Sequence, residues 1–474
     1  MIHGLKPYPE YKASALSWVG TIPRHWDEKR AKYLFREVDE RSKTGKEELL
    51  SVSHITGVTP RSQKNVTMFM AESTVGHKIC RPGDLVINTL WAWMGALGVS
   101  QFTGLVSPAY GVYRPSETSP LASAFIGHLL RSPQYVSEYI CRSTGIQSSR
   151  LRLYAEQLLE IPVVCPPPDE QRLILRYLAH VDRRIRRYVS AKKKLIALLN
   201  EQKQAIIHRA VTRGLDPNVR LKPSGVEWLG EVPAHWEIRR TKQGCIAIVD
   251  CKIRTPDMVP GGEFTVVRTT NVRNGRFNIN GSYPTDRRNY EIWTQRGAPR
   301  PSDIFFTREA PAGEECLVPT LNNLCMGQRM MCFRPDSQVI DQAFFLQNIY
   351  GPLVRTYVEH VCNGSTVGHL RLGDVAALPL MWCPLAEQRA IVDYIAAATG
   401  PIDRAIDRAR REIELLREYR ARLIADVVTG KLDVREAAAH LPDEADASEP
   451  LDEADALTED DDADPDATSE EAEG

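Results

Sequence analysis

Two histidines are the first residues whose type and setting invite chemistry. His25 and His235 stand in matching Pro-x-His-Trp strings, Pro23 to Trp26 and Pro233 to Trp236. Imidazole can move protons near neutral pH or ligate a metal. Either job needs a second group, an oriented acid, base or further ligand. No catalytic or ligand motif surrounds either one, and a structural histidine that caps a loop is the favoured reading, with the flanking Trp and Pro as core and turn. Other catalytic signatures are missing. Gly45-Lys46 lacks the upstream glycine of a phosphate loop, and no glycine-rich nucleotide fingerprint follows a strand. No NPPY-type string could hold a flipped adenine. Pro256-Asp257 with Glu263 has Thr265 where a nuclease would carry lysine. The ten cysteines form no CxxC pair and no cluster with histidine, which points to thiols of a cytoplasmic protein and to no metal site.

What remains is the chemistry of recognition. In TIPRHWDEKRAK basic and aromatic residues alternate, which suits phosphate contact. The loop Ser143 to Arg152 and its twin Gly364 to Arg371 combine Gly, hydroxyls and Arg. Gln and Arg can read purine edges in pairs of hydrogen bonds, while hydroxyls serve phosphates. The candidate DNA contacts in the first half are Thr89, Trp91, Trp93, Ser107, Tyr110, Gln147, Arg150 and Arg152. Those in the second half are Thr307, Arg308, Gln328, Arg329, Thr366, His369 and Arg371.

These loops must be held by larger elements. From Pro166 to Val211 the apolar residues Ile174, Leu178, Val181, Ile185, Tyr188, Leu195, Leu199 and Ile206 step by four and three, with Lys192 and Gln202 as polar members. That heptad seam predicts a long helix pressed on another. Ile402, Ile406, Ala409, Ile413, Leu416, Leu423 and Val427 repeat it, with Arg420 as the polar member. Asp169 reads as an N-cap, Gly400-Pro401 predicts a kink or a restart, and Gly214 and Gly430 read as helix stops.

Each helix follows a segment of similar size, and the segments are repeats. Trp18, Gly20, Pro23, His25 and Trp26 match Trp228, Gly230, Pro233, His235 and Trp236 at one offset. PGDLVINT matches PSDIFFTR, VSPAYGVYRP matches CMGQRMMCFRP, and the stretch ending PPPDEQR matches the one ending CPLAEQR. The repeat is about 210 residues long, and its middle diverges more than its ends. Short β-type runs, a helical stretch (Leu121 to Tyr139; Asp341 to His360), a Gly/Ser/Thr loop, a short strand and the long helix follow in each copy.

Composition agrees with a polyanion partner. The formal net charge is -1, yet Leu441 to Gly474 holds 16 Asp and Glu and no Lys or Arg. Residues 1–440 therefore carry 60 basic against 45 acidic residues, a formal charge of +15. The acidic tail reads as disordered, either a solubilising appendage or an internal mimic of DNA. No apolar run reaches the roughly 18 residues of a membrane span, and the N-terminus has no signal-peptide core.

Together, the Trp-Gly-x-x-Pro-x-His-Trp doublet, GDLVIN followed by VSPAYGVYRP, and the TG…RL…IP…PPPDEQR junction resemble the specificity subunit of type I restriction-modification systems. The likeness runs from Tyr8 to about Leu432; Ala386 and Gly400-Pro401 depart from it in the second copy. It implies an α+β chain of two similar mixed α/β target recognition domains, 1–165 and 214–382. They are joined by antiparallel coiled-coil helices at 166–213 and 383–432 with pseudo-twofold symmetry, and a tail follows at 433–474. It implies that each domain reads half of a bipartite, asymmetric site in double-stranded DNA, with the helices as spacer. The implied partners are two methyltransferase subunits that modify adenine with S-adenosylmethionine, and restriction/translocase subunits that use ATP and Mg2+. This cytoplasmic chain itself would carry no catalytic residue and no cofactor. The alternatives are a stand-alone DNA-binding or scaffold protein, and an enzyme of unfamiliar motifs.

Overall fold

The structure is a computed structural model that describes residues 5–63, 73–117, 119–145, 151–252, 254–321, 323–362 and 368–442. Two long helices dominate the chain, Pro168–Arg213 and Leu385–Val428. They pack together antiparallel: Lys192 pairs with Glu412 at 2.6 Å, Asp182 with Arg420, and Lys203 with Asp403 at 2.7 Å. Partners on one helix rise as those on the other fall.

The chain divides into two compact units: Met1–Lys193 with Arg410–Gly474, and Lys194–Ala409. Each unit therefore contains part of both long helices. The first unit is centred on a four-stranded antiparallel sheet in the order Phe35–Glu37, Gly111–Pro115, Leu85–Ile87, Leu97–Val99. The second repeats it as Cys245–Asp250, Met330–Pro335, Ile304–Thr307, Glu315–Leu317. A two-stranded ribbon recurs as well, Asp27–Arg30 with Pro162–Cys165 and Glu237–Arg240 with Pro379–Trp382. It ties the start of each repeat to the strand before its long helix. What differs is the outer layer. The first unit adds Leu50–Ser53 paired with Gly57–Pro60, and Lys78–Cys80 paired with Gly104–Val106. The second adds a three-stranded sheet, Tyr283–Thr285, Phe264–Val267 and Leu324–Met326, with one parallel pairing.

Each helical stretch of the repeat is two helices. Ser123–Leu130 is followed by Pro133–Arg142, and Gln342–Ile349 by Pro352–Cys362. A proline opens the second helix in both units, where its missing N–H and fixed φ are tolerated.

Burial modifies the seam. Ile174, Leu178, Val181 and Ile185 are buried with Leu423 and Val427 in the core of the first unit, where Leu416 packs at its edge. Ile402, Ile406, Ala409 and Ile413 are also buried. Leu199 and Ile206 are half-buried, and in the second unit Ile207, Ala210 and Val211 join the core instead. Leu195 and Tyr188, expected in the seam, are 42% and 54% exposed. At the midpoint the neighbouring Val189 packs at the core edge and Ile196 is half-buried in their place, beside the Lys192–Glu412 salt bridge. The second helix does not restart at Pro401 but runs through it. Pro401 and Ala397, whose carbonyl loses its donor, both lie on the exposed side, where water can serve that carbonyl. Asp169 falls inside the first turn rather than at the cap, since the Gln171 N–H already donates to the Pro167 carbonyl. Gly214 and Gly430 end the helices with φ of +70° and +79°.

Candidate nucleic-acid interface

Both faces that carry the candidate contacts rest on the same two locks. The first fixes the start of the long helix. Glu170 accepts from Trp26 Nε1 at 3.0 Å, lies 2.8 Å from His25 Nε2, and accepts from the Tyr8 hydroxyl. Glu387 repeats this with Trp236 Nε1 at 3.0 Å and His235 Nε2 at 2.8 Å. The neighbouring amide of Gln171 bonds the Ala122 N–H and the carbonyls of Pro120 and Pro166. Gln388 bonds the Asp341 N–H and the carbonyls of Val339 and Cys383 in the same way. The histidines are loop-fixing groups, as their sequence setting suggests, and Trp26 and Trp236 are core. Trp18 and Trp228, in the preceding turns, stay half-exposed at 50% and 49%.

The second lock sits inside the sheet. Asp84 takes a bidentate grip from Arg114, at 2.8 and 2.9 Å, and accepts the Arg81 N–H. Asp303 takes the same grip from Arg334, at 3.0 and 2.7 Å, and accepts the Arg300 N–H. These pairs fix the starts of the two strands, Leu85–Ile87 and Ile304–Thr307, whose far ends lead to Thr89 and Arg308.

The Thr89 carbonyl accepts from the Leu153 N–H at 3.0 Å and the Arg308 carbonyl from the Leu370 N–H at 3.1 Å. Leu153 lies 17 residues before Glu170, as Leu370 lies 17 before Glu387. The geometry therefore equates Arg152 with His369 and Tyr154 with Arg371, two residues off the register in which the Leu-Arg-Leu strings align. Thr89 is the counterpart of Arg308, and Ala109 of Arg329.

The two faces carry different chemistry on this shared frame. In the first unit the Thr89 hydroxyl donates to the Ala109 carbonyl at 2.9 Å. Tyr110 accepts from Asn88 Nδ2 at 3.1 Å, and Lys78 Nζ caps its carbonyl. The Ser107 hydroxyl accepts the Ala109 N–H, and Trp93 Nε1 donates to the Leu90 carbonyl. Trp91 is 38% exposed, and Arg152 is exposed where its backbone pairs with Thr144. Thr89, Trp91, Trp93, Ser107, Tyr110 and Arg152 thus lie in three neighbouring segments of one face.

In the second unit the face is an ionic network. Arg308 donates to Asp250 at 2.8 Å and to the Leu370 carbonyl at 2.9 Å, with His369 Nε2 alongside. Glu309 pairs with Arg329 at 2.7 Å and with His369 Nδ1. Arg329 has a φ of +72°, which turns it out of the strand. Gln328 is half-buried and donates its N–H to Thr255, while Arg371 is exposed and opens the helix Leu372–Ala377. Thr307 corrects its assignment as a DNA contact. It is fully buried, and its hydroxyl donates to the Pro311 carbonyl and accepts the Glu314 N–H, so it builds the turn. Gln147, Arg150 and Thr366 lie outside the described residues. Asp250 and Glu309, which aim the arginines and the histidine, were missed because neither lies in a matched string.

No metal-binding cluster occurs among the described residues. All ten cysteines are free. Burial pushes the Cys165 thiol up to about 11 and the Cys245 thiol up to about 12, so neither is a ready nucleophile. No described helix is long and apolar enough to cross a membrane.

No family model matches the sequence. Among solved structures, one chain comes from a study of complex assembly and conformational transition of the type I R-M system. It matches with a TM-score of 0.57 and 15% identity, covering 87% of this chain and 99% of that one. The two chains share a fold. The HsdS subunit from Thermoanaerobacter tengcongensis is 16% identical over 87% of this chain and 98% of its own, with a TM-score of 0.41. A type I restriction-modification S subunit from M. genitalium is 13% identical over 85% and 96%, with a TM-score of 0.33.

Proposed function

We propose that this chain is the DNA-specificity subunit of a type I restriction-modification complex, acting in the cytoplasm. Each unit reads one half of a bipartite site in double-stranded DNA. The observation that carries the reading is the pair of faces on one frame. Thr89, Ala109 and Arg152 in one unit stand where Arg308, Arg329 and His369 stand in the other. A duplicated frame with unlike reading groups suits an asymmetric target, and the formal charge of +15 on residues 1–440 suits the phosphate backbone.

In this reading the chain contributes recognition. Methyltransferase subunits that use S-adenosylmethionine, and a restriction subunit that uses ATP and Mg2+, supply the catalysis. The fold shared with a chain from a type I R-M assembly supports such partners. The deciding experiment is methylation-sensitive sequencing of host DNA with and without the gene. A bipartite adenine-methylated motif that vanishes with the gene supports the proposal, and an unchanged methylome rejects it. A stand-alone DNA-binding protein would instead hold its target without changing methylation.

A further inference from the structure

The described chain ends against an arginine ridge. Leu441 packs at the edge of the first unit's core, and Arg176 Nη2 donates to the carbonyls of Leu441 at 2.8 Å and Pro442 at 3.3 Å. Arg176 is on the first long helix. Arg183, Arg184 and Arg187 follow it by 7, 8 and 11 residues, so they lie on the same side of that helix. Among the described residues, no carboxylate pairs with Arg183 or Arg184. Asp182 turns to Arg186 and Arg420 instead. Between them is His180, whose imidazole is pushed down by partial burial and by Arg184 and Arg183. The side chains there feel a positive potential.

Residues 443–474 follow at once. They hold 16 carboxylates and no Lys, Arg or His. A segment of 32 residues, taken as a random coil, would span about 30 Å root-mean-square, enough to reach the ridge. The ridge from Arg176 to Arg187 is about 16 Å long at 1.5 Å per residue. Opposite charge, tether point and reach all agree.

We propose that residues 443–474 lie along the Arg183–Arg184 ridge of the first long helix and screen it from other polyanions. The tail is then an internal competitor attached beside its own site. The proposal does not depend on the DNA-specificity reading, and its test contains no DNA.

The test uses a fluorophore-labelled peptide of residues 443–474, titrated in about 0.05 M salt with the chain ended at Pro442. Every buried cluster of the described chain lies before that point. A short flexible tether gives an effective concentration on the order of mM. A tail that occupies the ridge must therefore bind in trans with a Kd below about 1 mM. The expected result is saturable binding below that value, at least about tenfold weaker for Arg183→Glu/Arg184→Glu, and weakened by added salt. The intact chain, whose own tail fills the ridge, should take up less peptide. If charge reversal unfolds the helix, Arg183→Gln/Arg184→Gln serves instead. No binding up to about 1 mM, equal binding by the charge-altered variant, or equal binding by the intact chain each overturns the proposal.

Discussion

Trp26 Nε1 donates to Glu170 Oε1 at 3.0 Å across 144 residues of chain. The bond joins the opening motif of the repeat to the first turn of the long helix, and Trp236 with Glu387 makes it again. Both glutamates sit in the first helical turn, where the helix dipole favours a carboxylate. The first copy is the more buried: the Glu170 side chain is 6% exposed and that of Glu387 29%.

Glu170→Ala should therefore destabilise the first unit by on the order of 3 kcal/mol, because it leaves the Trp26 N–H and the Tyr8 hydroxyl without an acceptor. Glu387→Ala, more exposed and without a third partner, should cost about 1–2 kcal/mol. Urea unfolding of both variants checks this. Equal losses would contradict the burial argument.

Gly430 is the sharper of the glycine positions. Its φ is +79°, and a Cβ there would lie 2.3 Å from Pro23 Cδ and 3.0 Å from Trp26 Cζ3. Gly20 has a similar φ of +77° but open space around it. Gly20→Ala should cost about 1 kcal/mol for backbone strain alone, and Gly430→Ala clearly more. Thermal midpoints of the two variants test the difference, and a smaller drop for Gly430→Ala sinks it.

Glu315 is fully buried, and neither carboxylate oxygen has a hydrogen-bond partner. Burial pushes its carboxyl well above the usual range, with Glu314 adding to the shift and Arg355 opposing it. Folded, it keeps its proton at pH values where the unfolded chain has lost it. Stability is then full below about pH 4 and falls as pH rises toward the folded pKa, at about 1.4 kcal/mol per unit. Glu315→Gln removes the titration. The variant should match the wild type near pH 4 and exceed it increasingly as pH rises from there toward the folded pKa. A stability difference that does not change with pH rejects this.

On the proposed function, Arg152→Ala should weaken or relax one half-site, and His369→Ala with Arg371→Ala the other. Loss of a good base contact costs on the order of 1–3 kcal/mol. Binding to a panel of half-site variants reads it. A uniform loss on every sequence would show phosphate contact.

The proposed spacer role of the helices predicts a further change. Four residues inserted near Ala191 add about 6 Å of helix, so the gap between half-sites should lengthen by one or two base pairs, given about 3.4 Å per pair. Mapping modified sites would show it, and an unchanged gap with full activity excludes that role.

The sequence by itself determined the periodic and repeated features. Heptad spacing gave the two helices, because apolar side chains at steps of four and three must fall on one face. The constant offset from Trp18 to Trp228 gave the duplication, and glycines after the last helical turns gave the stops. Tertiary structure decided what periodicity does not encode. Pro401 stays within its helix because the carbonyl it deprives faces solvent. Thr307 is consumed inside a turn. Arg152 corresponds to His369 because backbone bonds to Thr89 and Arg308 set the register. Asp250 and Glu309 meet Arg308, Arg329 and His369 only after distant strands and loops are brought together. A local pattern fixes which face a residue takes on its own element, while its partner across the chain depends on packing and hydrogen bonds that form only in the folded state.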